Sequence, residues 1–366
     1  MRTPARRRRG VTLIEIMVGT AIALIMTAAA VVFATQETKL MDVSREKLRM
    51  AQVGRAAIGL LADDLRKAGA GVGYSEAGVF LGLSIDSFTA GGLAWNPSGT
   101  ATGDGNANPG VSASNTFSRR DGSTYTVNTH DVGVRFASGS YATVVEETGG
   151  IGTICTAPDV TFDNGELAIL RDQTGISARL GTVTLGGALG GANCPCVNGC
   201  RGFTFTTIDD RFTGPGAQTV RFGLGELQGG MQTVVWFVTE NGGVGELRRA
   251  EFDGGANCAD RPTCGGVVAY DTEALFARVW RWDDVIGAWV PTGGTDVDER
   301  EARLRIDVEL VLRSESETEG FQPEVVSRVR AGECMPGPCG AASDDYARAA
   351  YRTSVEIMNS GMMQVR

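Results

Sequence analysis

Arg6-Arg7-Arg8-Arg9-Gly10-Val11-Thr12-Leu13-Ile14-Glu15-Ile16-Met17-Val18 opens an apolar run that continues to Ala34. Four arginines stand directly before a glycine, and one carboxylate interrupts the apolar residues after it. As a helix rising about 1.5 Å per residue, residues 11–34 would cover roughly 36 Å, enough to cross a bilayer core. The arginine cluster predicts a cytoplasmic N-terminus and export of the chain beyond Ala34. Glu15 is out of place in an ordinary anchor. An ionised side chain within an apolar span costs on the order of 3 kcal/mol, and carboxylates held there tend to be functional.

That cost calls for a cation. Val11 stands about one helical turn before Glu15, so a charge on it would face the carboxylate. In the uncut chain the Val11 nitrogen is an amide; a cut after Gly10 would make it an amine, cationic below a pKa of roughly 8. An ordinary secretory signal is cleaved after its apolar segment, whereas the small residue here precedes it. The leader, Gly10 and Val11-Thr-Leu-Ile-Glu15 closely resemble the class III signal of type IV prepilins. The resemblance implies a prepilin peptidase that cuts between Gly10 and Val11 and methylates the new Val11 amine. It also implies that Glu15 pairs with the amine of a neighbouring subunit during filament assembly. Two departures are Val11, where the family often has phenylalanine, and the lack of a proline further along this helix.

The 366 residues exceed one ordinary domain, which allows one large or two small lobes beyond the anchor. Loss of the five leader arginines (Arg2, Arg6, Arg7, Arg8, Arg9) takes the formal charge from −9 to −14. So acidic an exported body is a poor phosphate binder, and no nucleic-acid partner is expected. The 51 glycines and 7% aromatics predict short strands and many loops. Eight cysteines lie beyond the apolar run: Cys155, Cys194, Cys196, Cys200, Cys258, Cys264, Cys334 and Cys339. In an oxidising compartment they read as disulfides, with close spacing favouring Cys258–Cys264 and Cys334–Cys339 as local loops. Zinc at Cys194-Pro-Cys196-Val-Asn-Gly-Cys200 is disfavoured, since its spacing is unusual and no histidine lies nearby.

After Ala34 the pattern becomes amphipathic. Met50, Gly54, Ile58, Leu61, Leu65 and Ala68 recur at helical steps, with charges including Asp63 and Asp64 on the other faces. With no proline from Val11 to Ala68, one helix over residues 11–68 is predicted, ended by Gly69-Ala-Gly71. Gln52-Val-Gly54-Arg55 and Asp63-Asp64-Leu65-Arg66-Lys-Ala-Gly69 look like the first-helix ending of PilW-type minor pilins. Residues 71–128 read as a long Gly-rich insertion with strand fragments. Asp104-Gly-Asn106-Ala-Asn108 lacks the closing glutamate of a calcium loop and reads as a polar turn.

Strand candidates succeed one another at 132–136, 141–145, 167–171, 182–185, 203–208, 220–222 and 234–239, separated by Gly/Asn/Asp turns. Residues 231–238 and 245–252 read as a hairpin and 276–283 and 304–312 as alternating strands, while 351–359 resembles the final strand of PilW-type proteins. The aromatics Trp280, Trp282 and Trp289 read as sheet packing. The resemblance covers residues 1–69 well and those after Met231 moderately.

The fold class expected is therefore α+β and type IV pilin-like: leader 1–10, helix 11–68 with 11–34 in the membrane, and a β-rich periplasmic head over 69–366. One histidine, His130, leaves no material for histidine triads, and the paired acids Asp63-Asp64, Asp209-Asp210 and Asp283-Asp284 read as solvated surface. No enzyme and no cofactor are expected. The resemblance implies a minor pilin that primes or caps assembly, single-pass in the inner membrane and then in the pilus. Its implied partners are the prepilin peptidase, other minor and major pilins, and a pilus-tip adhesin. Two other readings share the architecture: a minor pseudopilin of a type II secretion system, similar to the GspJ group, and a tip subunit for DNA uptake or adhesion.

Overall fold

The computed structural model describes residues 12–70, 82–86, 113–118, 124–137, 141–148, 150–155, 162–171, 178–189, 196, 199–207, 225–253, 263–291, 303–314, 326–327, 334–335 and 348–357. Met1–Arg49 and Met50–Arg366 are separate compact units. One helix, α1 (Leu13–Lys67), supplies the described part of the first unit and enters the second. All of its residues from Leu13 to Met41 are exposed, so its apolar run has the length and the unburied surface to cross a membrane.

In the second unit α1 buries Met50, Gly54, Ala57, Leu61, Ala62 and Leu65, the stripe expected from 3.6-residue periodicity. Gly69 ends the helix with φ of 79°, which costs an L-side chain but not glycine. Its N–H donates to Arg135 O at 2.9 Å, and Ala137 N–H donates to Ala70 O at 2.7 Å. The helix end is thereby fixed to a strand by main-chain bonds.

Nineteen strands are described. The first four are β1 (Leu83–Asp86), the hairpin pair β2 (Ala113–Ser118) and β3 (Thr124–Thr129), and β4 (Asp131–Ala137). Then come β5 (Tyr141–Thr148), β6 (Ile151–Cys155), β7 (Glu166–Arg171), β8 (Ala178–Leu189), β9 (Cys200–Thr207) and β10 (Gly225–Gln228). The remainder are β11 (Met231–Asn241), β12 (Val244–Asp253), β13 (Gly266–Tyr270), β14 (Thr272–Asp283), β15 (Ala288–Pro291), β16 (Leu304–Arg313), β17 (Val326–Ser327), β18 (Cys334–Met335) and β19 (Arg348–Ile357). All described pairings are antiparallel. The class is α+β, as expected.

Two sheets share one core with α1: a five-stranded sheet ordered β1-β4-β11-β12-β13 and a four-stranded one ordered β15-β14-β16-β19. Trp236, Leu247, Leu275, Ile306 and Leu310 meet Leu61 and Leu65 there. The chain passes from one sheet to the other at Asp271, a non-glycine residue with φ of 58° whose carbonyl accepts Arg313 N–H at 2.8 Å. At the join, side chains stand in for a strand. Thr129 Oγ1 accepts Leu275 N–H at 3.0 Å, and His130 Nδ1 accepts Ala277 N–H at 3.0 Å.

The middle of the chain adds a closed sheet to the antiparallel head that the sequence predicts. Strands β5 to β10 close into a six-stranded barrel, ordered β10-β5-β6-β9-β8-β7. Val144, Ile154, Leu170, Val183, Phe203, Phe205 and Leu227 fill it, as side chains fill any small barrel. The strand pattern was legible, but alternation reports only that one face is buried, not against what. The folded insertion thus runs between β4 and β11, and within 71–128 the described residues form β1, β2 and β3 up to Asn128. Ala137 and Met231 stand directly opposite each other, so the barrel leaves and rejoins one antiparallel pair at the same point. The strand expected at 220–222 lies outside the described residues.

Candidate functional site

Two places on α1 carry the residues the sequence singled out. At its start, Thr12 and Glu15 form a reciprocal cap. Thr12 N–H and Thr12 Oγ1–H donate to Glu15 Oε2 at 2.9 and 3.0 Å, while Glu15 N–H donates to Thr12 Oγ1 at 3.3 Å. The Thr-x-x-Glu signature of a capping box stands in the sequence, masked by the apolar run around it. It gives Glu15 hydrogen-bond partners within its own helix and defines where the helix begins. Gly10 and Val11 lie outside the described residues.

At the other end of α1, Asp64 overturns its reading as solvated surface. It is 4% exposed, whereas Asp63 beside it pairs with Arg66 at the surface. Arg249 on β12 donates to Asp64 through Nε at 2.7 Å and Nη2 at 3.2 Å, and the Trp236 indole N–H on β11 donates at 3.0 Å. Lys67 adds a contact at 3.2 Å. Burial works to raise the Asp64 carboxyl, but the Arg249 hydrogen bond and charge, then Lys67 and Trp236, outweigh it and hold the group below the usual carboxylate range. The same pairing raises the Arg249 guanidinium. The acid of Asp64-Leu-Arg66 is therefore a latch between helix and sheet. Nearby, the Tyr351 ring occupies the space a Cβ on Gly54 would take, 2.3 Å from that position.

A second buried charge group ties the β2–β3 hairpin to the four-stranded sheet. Arg348 and Glu273, both 0% exposed, pair through Nε–Oε2 at 2.7 Å. Tyr125 donates its hydroxyl to Glu273 and accepts from Arg313 Nη1 at 2.9 Å. Burial and the Glu273 charge push the Tyr125 hydroxyl well above its ordinary value, so it stays a neutral donor.

Among the cysteines, Cys155 at the end of β6 bridges Cys196. Cys200, which faces Cys155 in the β6–β9 register, and Cys264 are also disulfide-bonded. Cys194, Cys258 and Cys339 lie outside the described residues, as do residues 104–108.

The prokaryotic N-terminal methylation motif matches residues 5–31. It spans the arginine leader, the Gly10–Val11 junction, the Thr12–Glu15 cap and the first turns of α1. No curated protein matches the chain. Among solved structures, a type IV-like pilin, TTHA1219 from Thermus thermophilus, is similar at 14% identity over 54% of this chain and 88% of that one. The TM-score is 0.21, so this likeness says nothing about role.

Proposed function

We propose that this chain is a type IV pilin subunit of the minor, PilW type, cut after Gly10, methylated at Val11 and assembled through Glu15. The observation that carries this reading is the methylation motif at residues 5–31, seated at the start of a 55-residue helix whose apolar part is wholly exposed. A soluble protein has no use for such a surface, whereas a subunit that waits in a membrane and then packs among like helices needs it. In this reading the leader stays cytoplasmic, the second unit is exported, and the role is to prime or cap a filament alongside other pilins.

Mass spectrometry of the protein from sheared filaments tests it. The mature chain should begin at N-methylated Val11, and Gly10→Leu should leave the precursor uncut. A mature chain that starts after residue 30, or an uncut one in filaments, would remove the prepilin reading. A deletion strain that loses twitching but keeps protein secretion would assign the subunit to a pilus; the reverse pattern would assign it to a type II secretion system.

A further inference from the structure

Val285 and Ile286 occupy the tip of the β14–β15 hairpin, where a turn ordinarily carries polar residues. Val285 is 94% exposed, more than any other large apolar side chain described, and Ile286 is 62% exposed. Among the described residues outside α1, no other two exposed large apolar residues are adjacent in sequence. The turn holds them there. Asp283 Oδ1 accepts the N–H groups of Val285 at 2.9 Å and Ile286 at 3.2 Å, and Asp283 O accepts Gly287 N–H at 2.8 Å. Gly287, with φ of 63°, turns the chain back into β15. The pair is thus presented on a backbone already ordered, with little entropy left to lose on docking.

Behind the tip stand Trp282 and Trp289, opposite each other in the β14–β15 register and meeting edge to face at 5.5 Å. Both are partly buried. The order from the tip inward is therefore aliphatic, then indole. A bilayer interface takes side chains in that order, with aliphatic groups among the acyl chains and tryptophan at the headgroups. Charge gives no pull toward an anionic surface. Arg303, beside both indoles, is paired with Glu356 at 2.9 Å, and the turn takes up the Asp283 carboxylate. Asp284 adds a negative charge at the tip of a chain of net charge −9. β14 begins at the Asp271 join, beside the sheet that holds the end of α1 through Asp64, and the tip lies at its other end.

We propose that the Val285–Ile286 tip dips into the surface of a zwitterionic lipid bilayer, with Trp282 and Trp289 at the headgroups. The inference rests on the reading that α1 crosses a membrane. That helix runs unbroken from its apolar part into the second unit, so the hairpin is tethered to a bilayer at high local concentration. A groove on a separate protein has no such advantage. Two aliphatic side chains on a tether suffice for a shallow, reversible contact, which restrains the second unit while the chain waits in the membrane.

The test places the full chain in phosphatidylcholine vesicles whose acyl chains carry bromine just below the headgroups, and reads tryptophan quenching. Quenching is expected. Val285→Asp with Ile286→Asp, at exposed positions where the thermal midpoint should not change, should lower the inserted-to-free ratio at least about tenfold and quenching with it. Val285→Leu with Ile286→Leu should keep the signal, as should Ile151→Ser on the barrel. Exchange of phosphatidylcholine for phosphatidylglycerol should weaken it. In a chain that alkaline carbonate does not extract, absent quenching, or equal quenching after the aspartate substitutions, overturns the proposal and leaves the membrane reading standing. A chain that carbonate extracts overturns both. Quenching that appears only with phosphatidylglycerol assigns the contact to the arginines and overturns the proposal as well.

Discussion

Asp64 and Asp63 show how much one residue's surroundings decide. Both are aspartates on one helix, one residue apart, yet one is a surface charge and the other a buried latch. Removing the carboxylate by Asp64→Ala leaves the Trp236 N–H unpaired at the helix–sheet contact and strips Arg249 of its buried partner. Arg249 is about a quarter exposed, which softens the loss, so about 2–3 kcal/mol of stability should disappear in denaturant titration. Because the folded Asp64 carboxyl lies below its ordinary value, its contribution is present above about pH 4 and fades as pH falls through the lower folded value. Thermal midpoints followed from pH 5 to pH 2 should fall in the wild type, with this component missing in Asp64→Asn. An identical slope in the two proteins would show that the latch carries no weight. Gly54→Ala presents a different cost, the collision with Tyr351, of about 1–3 kcal/mol, and Tyr351→Ala in the same chain should recover part of it. None of this was legible locally. Helix phase separates Asp63 from Asp64, but the partners that decide the matter stand on β11 and β12, far along the chain.

At the scale of the element, α1 was legible almost whole. The unbroken apolar run, the absence of proline and Gly69 predict residues 11–68, and the helix spans Leu13–Lys67. Local information suffices for a helix, since its hydrogen bonds close within four residues. The cap at Thr12 obeys the same logic, and Thr12→Val should cost about 1 kcal/mol and fray the first turn, visible as faster amide exchange at residues 13–16. Glu15→Val should ease membrane insertion by about 3 kcal/mol. If the prepilin reading holds, it should still reduce the amount of subunit in sheared filaments relative to the inner membrane. Wild-type incorporation of that variant would show that the carboxylate does not drive docking.

The whole molecule was the least legible scale. Strands at 141–145, 167–171 and 182–185 show in the sequence by alternation, but a barrel and an open sheet impose the same period of two. Closure depends on β10 returning to both β5 and β7, a pairing no local pattern encodes. The register of Ala137 against Met231 makes a specific claim about this architecture. Replacing residues 138–230 with an Asn-Gly turn should leave β4 and β11 paired as a hairpin and the two-sheet core intact. Solubility, a cooperative thermal transition and retained burial of Trp236 would bear this out; a molten, protease-sensitive product would show that the barrel is integral to the core.

The Ala137–Met231 pairing also sets an order of events when the chain folds. In sequence these partners are about ninety residues apart, so joining them directly in an open chain carries a large loop-closure entropy. The barrel closes through the β5–β10 pairing, Tyr141 against Gln228, which spans nearly as much chain, so closing it brings the ends of β4 and β11 together at little further loop cost. A chain that emerges N-terminus first can pair β4 with β1 on one edge, but the other edge stays open until β11 has been made. The barrel therefore acts as a timer on the central sheet, and slowing its closure should lengthen the life of an exposed strand edge.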